Sequence, residues 1–99
     1  MTRIHATFPH PELDSALAYF ASRYRAAKSV HNNADAHYDL RCRAMAEACR
    51  VVFEVRTKLQ GVNDETRKHA REVLAATVGD YDAHRMTQPL DDAEVFGGL

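Results

Sequence analysis

Long apolar runs are missing from this 99-residue chain. Its uncharged stretches fall well short of the roughly 18 apolar residues that suggest a membrane-crossing helix, and Met1 to Pro9 has no apolar segment of the kind that opens a secretory signal. A cytoplasmic protein with no membrane contact is expected. Cysteine is scarce as well, with Cys42 and Cys49 alone. Seven residues apart on a helix, they stand about 10 Å from each other, too far to bridge. They are expected as free thiols in a reducing cell, or as bonds across a subunit interface. The four glycines are isolated or at the extreme end, so no glycine-rich loop is present to cradle a phosphate. Neither sign of charge dominates: 13 Lys and Arg oppose 14 Asp and Glu, for a formal net charge of −1. Without a global field to draw in nucleic acid or an acidic membrane, charge argues against a DNA-binding role.

What the sequence does contain is helical periodicity. From Pro11 a first helix is expected to about His31, with proline at the position where its missing amide costs nothing and Glu12 and Asp14 at the positive end of the dipole. Leu13, Leu17, Phe20, Tyr24 and Ala27 step by four, three, four and three and so form one narrow buried stripe. His31, Asn32 and Asn33 end it. Asn33 or Asp35 can cap a second helix over about 34–60, stopped by Gly61. Asn63 opens a third over about 64–85, with Asp64 and Glu65 in its first turn and Ala70, Val73, Leu74, Thr77, Val78 and Tyr81 on its apolar face. Gly79 marks a kink or an early end there. No strand signal and no internal repeat competes.

These signals specify an all-α fold of three antiparallel amphipathic helices in a bundle. One domain of 1–86 is followed by a flexible acidic tail, 87–99, with one helical turn around Asp91 to Phe96. The second helix is expected to be the central one. Leu40, Cys42, Met45, Ala46, Ala48, Cys49, Val51, Val52, Phe53, Val55 and Leu59 cover more than half of its circumference, and Arg43, Glu47, Arg50, Glu54 and Lys58 fill the rest. Two modest stripes on the flanking helices need not cover so broad an arc. A surplus apolar patch of that kind marks a partner site, unless Val95, Phe96 and Leu99 of the tail fold back over it. Met45, Cys49, Val52, Arg56 and Leu59 are the candidate partner-binding residues. Arg56, set among apolar positions, is either an interface anchor or, more simply, a side chain that snorkels to water.

Chemistry-bearing motifs are weak by comparison. An up-down-up order gathers His31, His37 and His84 at one end with Asp35, Asp39, Asp80 and Cys42 near them, which defines an alternative: a metal-binding sensor or small metal-dependent enzyme. Their spacing matches no recognised ligand motif, so no metal or cofactor is assigned. Burial on the apolar face would leave Cys42 and Cys49 as inert core thiols. A second alternative, a nucleic-acid-associated regulator, would use Arg67, Lys68 and Arg71 with Arg56 and Lys58, but Asp64, Glu65 and Glu72 interrupt that patch. The tail, with Leu90, Val95 and Phe96 among its acidic residues, is a solvated end or a segment that docks on another protein. The resulting expectation is a non-enzymatic regulatory or adaptor protein. It would form a homodimer through helix 2 and inhibit or hold another protein, such as a transcription factor or a secretion component.

Overall fold

The structure is a computed structural model that describes residues 11–91 and 93–94. Among them there are four main helices and no strand: α1 (Pro11–His31), α2 (Tyr38–Lys58), α3 (Asp64–Val78) and α4 (Asp80–Met86). The all-helical class agrees with the periodicity, whereas the number of helices does not. The third helix, expected over about 64–85 with a kink or an early end at Gly79, takes the early end: it stops at Val78, and Gly79 takes φ 88° and ψ 165°. That backbone region is essentially reserved for glycine. The chain folds back there: Arg71 Nε donates to Thr87 Oγ1 at 3.2 Å, and Arg67 Nη1 donates to the Thr87 carbonyl at 2.8 Å. In one continuous helix residues 71 and 87 would lie about 24 Å apart.

The start of the second helix is also corrected, from about 34 to Tyr38. Asn33 does not cap it, because its side chain accepts the Asp35 amide at 3.0 Å in a local turn. His37 takes the capping role, its Nδ1 accepting from the Asp39 amide at 3.2 Å. At the next boundary the reading holds, with the Asn63 side chain accepting the Thr66 amide at 2.8 Å.

The core contains Leu17, Ala21, Tyr24 and Ala27 from α1, Ala48, Val51 and Val55 from α2 with Leu59 just beyond, Ala70 and Leu74 from α3, and Ala83 and Met86 from α4. Leu13, Phe20, Val52, Val73 and Val78 pack against it, half-buried. The α1 stripe is therefore as expected, and α1, not α2, is the central helix: it packs on both α2 and α3, and those two do not pack on one another among the described residues. Contacts from α3 and α4 reach α1 at Asp14, bonded to His69, and at Tyr24, bonded to Arg85. Beyond that point α1 and α2 have each other, joined where Arg23 meets Glu47 and where Arg41 Nε donates to the His31 carbonyl. This two-helix arm lengthens the molecule to 53 × 31 × 21 Å. The radius of gyration is 15.1 Å, against about 13 Å for a spherical domain of this length.

Candidate interaction surface on α2

Two rows of side chains run along α2. Ala44, Ala48, Val51 and Val55 are buried and lie toward α1. A second row, Tyr38, Cys42, Met45, Cys49, Val52 and Arg56, steps by four, three, four, three and four, the spacing of a seam at which two helices wrap around one another. At about 100° per residue this row lies roughly a third of a turn away from the first. Its upper part is open to solvent. Tyr38 is 73% and Met45 39% exposed, and both cysteines are exposed and free. Phe53, beside the row, is 49% exposed.

The sequence-derived partner residues thus fall in different environments. Met45 and Cys49 are exposed, Val52 and Arg56 are half-buried, and Leu59 is fully buried. Leu59 therefore belongs to the intramolecular core. Sequence pattern alone did not single out Tyr38, because the helix was expected to begin earlier and its apolar residues were read as one broad arc. The cysteines require a second correction. They are surface thiols, exposed on a face of α2 where α3 does not pack. A hollow of about 350 Å³ lies at the upper end of the row, lined by His31, Tyr38, Arg41, Cys42 and Met45. A hydrogen bond with the Cys42 thiol raises the Tyr38 phenol above its ordinary value.

The lower end of the row is closed by the chain itself. Arg56 Nε donates to the Gln88 carbonyl at 3.0 Å and Nη2 to the Pro89 carbonyl at 2.8 Å. Its fork also engages Glu94, with Nη1 to Oε2 and Nη2 to Oε1 both at 2.7 Å. The Glu94 carboxyl is consequently held below the usual glutamate range, by Arg56 first and by the Asp91 amide second. Asp91 and Glu94 in turn cap each other's amides at 3.1 and 2.8 Å, the reciprocal pairing of a capping box. In place of a snorkelling arginine and a free tail, residues 88–91 and Glu94 form a strap over Arg56. The Asp-x-x-Glu spacing was the sequence signal for it. The expected helical turn is described only at residues 93–94, and Val95, Phe96 and Leu99 lie outside the described residues.

On the opposite flank of α2, part of the charged strip turns toward α1. Arg23 donates to Glu47 at 2.7 Å and to Glu54 at 3.0 Å, and its guanidinium stands 5.5 Å from the ring centre of Tyr19 and 5.8 Å from that of Phe20. The Arg23 hydrogen bond holds the Glu47 carboxyl below its ordinary range. Tyr24 sits in the core with its phenol raised by burial.

The remaining candidate sites do not assemble. Among the described residues no group of three His, Cys, Asp or Glu side chains gathers to hold a metal ion. His31 Nδ1 lies 3.4 Å from the Arg41 carbonyl, His37 caps α2, and Gln88 Nε2 reaches His84 Nε2 at 3.0 Å and its carbonyl at 3.1 Å. The reversal at Gly79 explains why: it returns α4 toward Arg67 and Arg56 and takes His84 away from the His31 end. The arginines of the basic patch converge on residues 87–94 and are occupied there. Arg67 spends its fork on the Thr87 and Leu59 carbonyls, Arg71 bonds Thr87, and Arg56 is held by the strap. No helix among the described residues is long and apolar enough to cross a membrane. No protein-family model, curated protein or solved structure matches this chain.

Proposed function

We propose that this chain is a small, non-enzymatic, cytoplasmic regulatory or adaptor protein that acts by binding another protein, and that it does so as a homodimer formed through α2. Its single helical domain is an antiparallel arrangement, α1 running against α2. The observation that carries the reading is the exposed part of the second row on α2. A helix with two seam-spaced rows occupies an inner position of a bundle, yet this chain covers only the lower part of the second row and leaves Tyr38, Cys42, Met45 and Cys49 open. Aromatic and sulphur-bearing side chains in a continuous exposed strip are the composition of a protein-binding face. The cytoplasmic assignment follows from the same residues, because Cys42 and Cys49 stay reduced and available only in a reducing compartment.

The test is mass in solution by light scattering over a dilution series, on the wild-type chain and on Met45→Asp. A wild-type dimer that dissociates on dilution, and a variant that remains monomeric with unchanged helix content, are expected. A wild-type chain that stays monomeric at every concentration overturns the proposal.

A further inference from the structure

Where α1 ends and α2 begins, one hollow brings a nucleophile beside an arginine and a histidine. His31 closes α1, Tyr38 opens α2, and Arg41, Cys42 and Met45 follow over its first two turns; together they line a space of about 350 Å³. Small-molecule sites occupy about 300–1,000 Å³. Arg41 is half-buried, and only its Nε has a protein acceptor, the His31 carbonyl at 2.9 Å. Its two Nη groups have none among the described residues, nor has His31 Nε2 any partner there. A guanidinium whose stem is fixed and whose fork is unused suits a planar carboxylate.

Cys42 stands in this hollow and Cys49 does not, although both are exposed and free on the same helix. Asp39 is the one acid between residues 38 and 45, set against Arg41 and Arg43. Around Cys49 the nearest charges along the chain, Glu47 and Arg50, are paired with each other. An anionic reagent is therefore drawn to the first thiol and not to the second. Tyr38 adds a donor: hydrogen-bonded to Cys42, its phenol keeps its proton beyond the ordinary range and can donate it to the sulfur as a thiolate forms.

We infer that this hollow is a thiol-modification site: it takes a small disulfide that carries carboxylates, Arg41 holds a carboxylate, and Cys42 exchanges with the disulfide. The Cys42 thiol gives its proton to solvent, and its sulfur attacks one sulfur of the reagent. A new S–S bond forms as the old one breaks, and the electron pair leaves with the departing thiolate, which takes a proton from solvent. The Cys42 sulfur is oxidised and the departing sulfur reduced, so no further oxidant is needed. Seven residues away, about 10 Å along the helix, Cys49 is too distant to displace the adduct within one chain, and the mixed disulfide persists. Both thiols lie on the α2 row, yet the inference does not depend on what that row contacts.

The test uses the full chain with three probes in separate reactions: glutathione disulfide, which is anionic, cystamine, which is cationic, and hydroxyethyl disulfide, which is neutral. Peptide mass spectrometry reads the rate at each cysteine. With the anionic probe Cys42 should react about fivefold faster than Cys49, the factor expected of one partly solvated ion pair. The preference should shrink with the neutral probe and vanish or reverse with the cationic one. Arg41→Gln should remove the anionic preference, and Arg41→Lys, which keeps the charge, should retain most of it. Equal rates at the two cysteines with glutathione disulfide overturn the inference. A preference for Cys42 of the same size with all three probes, or one that survives Arg41→Gln, overturns it as well, since either reports accessibility and not a carboxylate site. Should Arg41→Gln lose helix content by circular dichroism, the three probes on the wild type decide alone. Self-association would slow both thiols for every probe and leave the difference between probes in place, so failure here and failure of the α2 reading are separate results.

Discussion

Arg56 and Glu94 meet through two parallel hydrogen bonds of 2.7 Å each, across 38 residues of sequence. A planar guanidinium suits this geometry and an ammonium does not, so Arg56→Lys is not a conservative change here. The bonds also impose a pH dependence. The Glu94 carboxyl sits below the ordinary glutamate value of 4.5, chiefly because of Arg56. A depressed folded value means that its contribution is complete above 4.5 and is lost as the pH falls through the lower, folded value. Amide NMR shifts of Gln88, Asp91 and Glu94 should move together with a midpoint under 4.5, and Glu94→Gln should abolish that transition. A midpoint at or above 4.5 would show that the clasp carries no weight.

The core predicts where truncation costs most. Leu17 and Leu74 are both fully buried and belong to one cluster that spans the helices. Leu17→Ala and Leu74→Ala should each lower unfolding stability by about 2–5 kcal/mol in urea titrations, through lost burial and the cavity left behind. Values below about 1 kcal/mol, typical of surface substitutions, would contradict this placement of α1 at the centre.

How much of this was legible in the sequence depended on which interaction decided each feature. The α1 stripe from Leu13 to Ala27 follows from local periodicity, and so does the Asn63 cap, since both need only neighbours along one helix. The long-range partners were not legible. Arg56 was read as an interface anchor or a snorkelling side chain, and neither reading reached Glu94 and the Gln88 carbonyl, which stand more than thirty residues away. The α2 apolar arc was read as one surface, yet it divides into a row against α1 and a row against solvent. That division depends on α3 packing on α1 instead of α2, which no periodicity encodes. His84 was placed beside His31 and His37 by carrying the third helix on to Arg85, and the early end at Gly79, one of the two outcomes its glycine had signalled, reverses that placement.

Gly79 therefore supports a prediction whose sign is diagnostic. Within a continuous helix, Gly79→Ala would raise stability by about 1 kcal/mol, as alanine generally does over glycine. At φ 88° and ψ 165° the same substitution should instead cost about 1–3 kcal/mol. The surrounding space is open, with nothing near an added Cβ, so the penalty is backbone strain and not collision. Thermal denaturation of the variant distinguishes the two: a raised midpoint would restore the single third helix.

Met45→Asp and Val52→Asp should part company. On the sequence alone both place a charge in apolar surroundings. In the structure Met45 is 39% exposed and Val52 is half-buried against the core. Met45→Asp should change unfolding stability of the monomer by no more than about 0.5 kcal/mol and remove self-association, whereas Val52→Asp should cost about 1–3 kcal/mol. Urea titrations at low protein concentration, paired with light scattering at high concentration, read the two effects separately. Equal losses of stability in both variants would return Met45 to the core.

The cysteines offer the most direct view of the same face. As core thiols they would react with an aromatic disulfide reagent only on unfolding. As exposed side chains, both should react in the native protein without denaturant. Because they lie on the proposed α2 contact, their reactivity should also fall as protein concentration rises, following the fraction of dimer and approaching the monomer rate on dilution. Met45→Asp should remove that concentration dependence while leaving the monomer rate in place. Reactivity that is high at every concentration would mean that Cys42 and Cys49 stay open in any assembly, and α2 would then not be the contact. Reactivity absent at every concentration would mean that the row is covered within a single chain.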